Sequence, residues 1–169
     1  MAAAARFPLG ALLGTIAFVA VIPVSVIVLV PYWLTGWRLA APFLATTLTR
    51  WLGALLIVAS IPVFVAFVGR FVFEGRGTPA PVAPTEHLVV GGPFRWTRNP
   101  GYVAVVSLVA GQALVFGSSG VLAYAIMIAI AFHAFVLLYE EPTLRRTYGP
   151  EYDAYCARVP RWIPRRPRS

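Results

Sequence analysis

Glu140 and Glu141 stand at the polar end of one long apolar run, and Arg98-Asn99-Pro100-Gly101-Tyr102 stands at the start of another. Adjacent carboxylates opposite arginines can hold a cationic ligand that also carries hydroxyl groups. The same residues equally make an interfacial salt bridge that ends a helix. A further set, Thr85-Glu86-His87-Leu88-Val89-Val90-Gly91-Gly92-Pro93-Phe94-Arg95-Trp96, joins a histidine to a Gly-Gly pair. These glycines allow close backbone approach to a ligand, or simply a turn, and His87 can serve as acid, base or hydrogen-bond donor. No second histidine lies near His87, which argues against a metal centre. Neither a P-loop, a Ser/His/Asp set nor a strand-borne GxGxxG is present.

The elements that position these residues are apolar. Hydrophobic residues make up 59% of the 169 and charged residues only 12%, against about a quarter charged in an ordinary soluble domain. Runs of about 20 apolar residues span a bilayer, and the sequence predicts an all-α polytopic membrane protein with about four spans, near 11–34, 51–73, 101–116 and 121–139. The first run is read as a retained helix and not a signal peptide, because it is long and lacks a prompt small-residue cleavage site. Pro23 and Pro62 lie inside spans, where membrane helices tolerate them. Only Gly117-Ser118-Ser119-Gly120 separates the last two runs, which therefore form an antiparallel hairpin. At 1.5 Å per residue these rods are roughly 24 and 28 Å long. Their free ends thus bring the Arg98–Tyr102 turn and the Glu140-Glu141 pair to one membrane depth.

The formal charge of +8 is carried entirely by arginine. The amino terminus, the polar loop from Glu74 to Pro100 with the adjoining Arg70, and the tail hold 12 of the 14 arginines; the other face has only Arg38 and Arg50. Basic residues flanking apolar spans speak for orientation and lipid headgroups, not for nucleic acid. The positive-inside rule puts both termini in the cytoplasm. Beyond Glu140-Glu141-Pro142, Pro142 and Pro150 suit the first turns of two short helices broken at Gly149. Tyr148, Tyr152, Tyr155 and Val159 mark one face of the second, suited to packing or to a membrane belt. Residues 161–169 read as a Pro/Arg-rich coil. His133 and Gln112, at membrane depth, are either functional or interhelical hydrogen bonds that fix the hairpin. His133, about two turns from Glu141, could line a substrate cavity. The lone Cys156 has no disulfide partner.

The segment HLVVGGPFRWTRNPGY, then a helical hairpin, then EEPTLRRTYGPEYDAYCARVPRWIP, resembles the integral membrane methyltransferases of the isoprenylcysteine carboxyl methyltransferase and phospholipid methyltransferase type. The resemblance covers about residues 86–164. It implies that S-adenosylmethionine binds at the cytosolic ends of the last two spans, capped by the tail. Carried onto this chain, it implies cofactor contacts from His87, Leu88, Val89, Gly92 and Tyr102, and from Glu140 or Glu141. Arg98 and Asn99 would shape the turn or face the substrate, and Glu141 or His87 would take a proton from an amine acceptor. The sequence departs from the family pattern at Asn99, where a histidine is frequent, and at Ala104, where glycine is usual. The expected activity is methyl transfer to a lipid or membrane-associated acceptor (an isoprenylcysteine carboxylate, a phospholipid amine or similar), in a bacterial inner membrane. A non-catalytic scaffold of the same fold and a related membrane reductase are the alternatives. O-, N- and S-methylation all stay open on the residues alone.

Overall fold

A computed structural model describes residues 21–73 and 88–165, without the side chains of 71–73. His87, most of the polar loop and the first half of the expected first span lie outside the described residues. The helices are α1 (Val21–Thr35), α2 (Leu48–Phe73), α3 (Pro100–Phe116), α4 (Ser119–Phe135), α5 (Glu141–Tyr148) and α6 (Pro150–Arg158). No strand occurs among the described residues, whose regular elements are all helical, as expected.

The hairpin connection is tighter than the sequence suggests. Gly117 ends α3 in the left-handed region at φ 67°, and the Ser118 side chain caps α4 by accepting from the Val121 N–H. Ser119 and Gly120 are already helical. A serine before an apolar run is a good N-cap. At the other end α4 does not stop at the glutamates. It passes through a π turn, Val136–Glu140, straight into α5, so one helix runs unbroken from Ser119 to Tyr148. Pro142 falls in the first turn of α5. It lacks the N–H that an α-helix would offer to Leu138, and the wider turn comes where that bond is missing.

Leu48–Arg70 and Ser119–Tyr148 are long and apolar enough to cross a membrane, each containing an 18-residue stretch of mean hydropathy 2.5. Their large apolar side chains point outward: Leu55, Val58 and Val65 on α2, Met127, Ile130 and Leu138 on the helix from Ser119. Soluble monomers do not expose contiguous apolar surface on this scale, so lipid covers it and the chain is a membrane protein. α1 and α3 are shorter apolar helices, with α3 carrying the buried centre. Val105, Val109 and Ala113 of α3 pack on Val121, Ala125 and Ile128 of α4, flanked by Val26 and Ile27 of α1 and Phe64 of α2.

Two details fix the helices laterally. A Cβ on Gly53 of α2 would lie 2.6 Å from the Gly111 carbonyl oxygen, and one on Gly111 would lie 2.8 Å from that of Gly53. Small residues that let backbones touch are the usual means of packing helices in lipid. In α1, a π turn at Ser25–Leu29 has the Val30 N–H bonded to the Ser25 carbonyl. The next N–H in either helical register would come from Pro31, which has none. Both carbonyls so deprived are met from the hairpin: Gln112 Nε2 donates to Ile27 O at 2.9 Å, and Tyr124 OH donates to Val26 O at 3.3 Å. Gln112 therefore ties the hairpin to α1 and does not bind its two helices to each other.

Candidate active site

The Arg98–Tyr102 turn and the Glu140-Glu141 pair do meet, and each carboxylate takes a different partner. Glu141 is buried, 4% exposed. Arg161 grips it from the tail, Nε to Oε1 at 2.6 Å and Nη2 to Oε2 at 2.9 Å, while Arg98 Nη1 donates to Oε1 at 2.9 Å. Two guanidiniums saturate a carboxylate with charge-assisted bonds. The bond to Glu141 raises Arg161 above its ordinary value, against a smaller effect of burial. Arg98 Nη1 also reaches Cys156 Sγ at 2.8 Å. Glu140, the residue before, turns elsewhere: Tyr102 OH donates to its Oε2 at 2.7 Å. Its other oxygen has no hydrogen bond among the described residues. The Phe132 ring covers Tyr102, with centroids 4.7 Å apart.

Asn99 precedes α3 and is 5% exposed. Its Nδ2 donates to the Arg161 carbonyl at 3.0 Å, and Thr97 Oγ1 donates to the same oxygen at 2.9 Å. Backbone bonds complete the junction, Arg98 N to Pro160 O at 2.9 Å and Arg165 N to Trp96 O at 3.0 Å. The stretch from Pro160 to Arg165 is thus a strap bound along the turn before α3. Asn99 thus supplies an amide donor that ties this turn to the strap.

The loop side is built on Gly91 and Gly92. Gly92 sits at φ +56°, and a Cβ there would lie 2.7 Å from Arg70 Nε. The Arg70 guanidinium therefore lies against the Gly-Gly backbone, a closeness only glycine permits. Leu88 packs with Tyr148, Leu144 and Cys156 against the buried Tyr152 and Tyr155 of α6 and Val159 just after it. The aromatic face of the tail is thereby a packing face that seats the tail on the loop. Tyr155 OH donates to Phe94 O at 2.7 Å. Burial and the neighbouring Tyr152 push its phenol well above the ordinary range, so it keeps the proton it donates. Val89 is half-buried nearby in sequence.

Arg98, Asn99, Tyr102, Glu140 and Glu141 thus come together. Leu88 is placed by the tail and Gly92 by Arg70. Arg161, Thr97 and Trp162 belong to the same assembly but were not singled out from the sequence. Arg161 stands in the segment that resembles the family, yet a Pro/Arg-rich coil gave no reason to pair it with a glutamate 20 residues away. A buried acid at a helix end, needing a cation, was the available signal.

No curated protein and no solved structure matches the chain. A family model described as phospholipid methyltransferase matches residues 48–151, from the start of α2 through the hairpin and the glutamate pair into the tail. With more than half of its length so matched, the chain belongs to the phospholipid methyltransferase family.

Proposed function

We propose that the chain is an S-adenosylmethionine-dependent methyltransferase acting on a lipid or membrane-associated acceptor, with its cofactor site at the ends of α3 and α4. The observation that carries this reading is the different state of the two glutamates. Glu141 is spent on Arg98 and Arg161, whereas Glu140 keeps one oxygen without a partner among the described residues and has the other fixed by Tyr102. A half-engaged carboxylate suits a ligand that is cationic and carries hydroxyls, and the residues fit S-adenosylmethionine on that ground. Glu140 and Tyr102, with Leu88, Val89, Gly92 and the undescribed His87, would hold it.

When bound, S-adenosylmethionine supplies a methyl group on a sulfonium. What this chain contributes is positioning and exclusion of water. Arg98 and Arg161 clamp Glu141, and through it they hold the tail over the site; Asn99 fixes the strap. These three are positioning residues, and Glu141 is a poor base while two guanidiniums hold it. A carboxylate acceptor needs no base. For a protonated amine, Glu140 is the nearby carboxylate free of an arginine partner. Both termini lie in the cytoplasm on the arginine distribution, of a bacterial inner membrane on this reading.

Incubation of the purified protein and its host membranes with methyl-labelled S-adenosylmethionine tests the activity. The expected product is a labelled lipid-phase molecule formed by wild type and lost in Glu140→Gln. Label that enters nothing, or that is transferred equally by the variant, would exclude it.

A further inference from the structure

His133 lies on the side of α4 that meets lipid. It shares a stripe with Ile126, Ile130 and Leu137, and all four are exposed. An imidazole on such a stripe is costly unless it has work to do at that depth. One nitrogen is accounted for: Trp162 Nε1, carried by the strap, donates to His133 Nδ1 at 3.1 Å, with the two rings 5.8 Å apart. A neutral imidazole that accepts at Nδ1 carries its proton on Nε2. That N–H has no acceptor among the described residues. The strap therefore does two things: Arg161 closes on Glu141 at the polar end, and Trp162 fixes the tautomer of His133 below it.

The spacing suits one kind of molecule. His133 precedes Glu140 by seven residues, about 10 Å along the helix axis. In a diacyl aminophospholipid the headgroup nitrogen and the nearer ester carbonyl oxygen are separated by ten bonds, about 11 Å when extended at the reach of an ordinary chain. A headgroup amine beside Glu140 thus brings an ester carbonyl to the level of His133. A prenylated thioether offers no ester at that depth.

We propose that His133, oriented by Trp162, is a specificity-determining residue that donates its Nε2–H to an ester carbonyl of a diacyl lipid acceptor. The assignment rests on the methyl-transfer reading above and concerns how this chain would recognise the acyl ester of its acceptor. The test compares dioleoyl phosphatidylethanolamine with its dialkyl ether analogue, which lacks both carbonyls. One neutral hydrogen bond separates them, so wild type should show a KM roughly three- to tenfold lower for the ester lipid, with kcat similar. His133→Asn keeps an acceptor for Trp162 but has no donor at the Nε2 position, and it should treat the two lipids alike. His133→Gln restores a donor and should recover part of the preference. Calorimetric affinity for S-adenosylhomocysteine should be unchanged in both variants, which shows that they fold. Retention of each lipid in native mass spectrometry reads the same preference without turnover, so a failure of methyl transfer alone is distinguished from a failure of this assignment. Equal handling of ester and ether lipids by wild type, or an undiminished preference in His133→Asn, would overturn it.

Discussion

Removing the charge of Glu141 separates structure from ligand binding more sharply than any other single change. In Glu141→Gln the carboxylate held by Arg161 at both oxygens, and by Arg98 at one of them, loses its negative charge. Breaking a buried pair by neutralising one partner costs about 3–5 kcal/mol, because the remaining charge is left buried. Arg98 is 12% exposed and pays in full, whereas Arg161 is 32% exposed and turns partly to water, so the lower end, about 3 kcal/mol, is the appropriate figure. For a chain of this size that corresponds to a fall of roughly 6–12 °C in Tm, read by thermal unfolding in detergent. Glu140→Gln retains a carbonyl to accept from Tyr102 and should shift Tm by no more than about 4 °C, a loss under about 1 kcal/mol. The order of the two variants is the test. An unshifted Glu141→Gln, or a Glu140→Gln that is the less stable, would refute the division of labour between the glutamates.

Gln112→Leu leaves Ile27 O without its donor and should destabilise by about 1 kcal/mol, between the membrane average and the soluble cost of a lost bond, seen as a modest fall in Tm. Gly111→Leu forces atoms into the α2 backbone, where a Cβ alone already approaches Gly53 O to 2.8 Å, and should loosen the packing of α2 on α3; a thermal unfolding midpoint in detergent equal to that of wild type would speak against that contact. Burial raises Tyr152 and Tyr155 in the fold, so the folded chain keeps protons that an unfolded one releases near pH 10. The stability they contribute should be complete below pH 10 and decline as the pH rises beyond it, with tyrosinate absorbance of these two lagging behind the exposed tyrosines.

Much of the architecture is legible in the residues. Uncharged runs of span length, a four-residue polar break and the crowding of arginines on one side are enough to expect a membrane hairpin whose ends meet. What they do not reveal is register. A π turn adds a residue between His133 and Glu141 without any change of residue type, and only Pro142 hints at it. That extra residue turns Glu140 toward Tyr102 and Glu141 toward the arginines, so which carboxylate is free could not be read from two identical letters. Arg161 was equally hidden, because a long-range ion pair between a coil and a helix leaves no periodic trace. Asn99 is the converse case: its type alone leaves its role open, and its amide donates to the Arg161 carbonyl.

The most direct measurement of the central claim is calorimetric titration of the detergent-solubilised protein with S-adenosylhomocysteine. The two-glutamate arrangement predicts saturable binding at one site per chain, thermal stabilisation by the ligand, and an affinity at least tenfold weaker in Glu140→Gln at nearly unchanged Tm. Absence of both heat and stabilisation in wild type, or full affinity in Glu140→Gln, would contradict it.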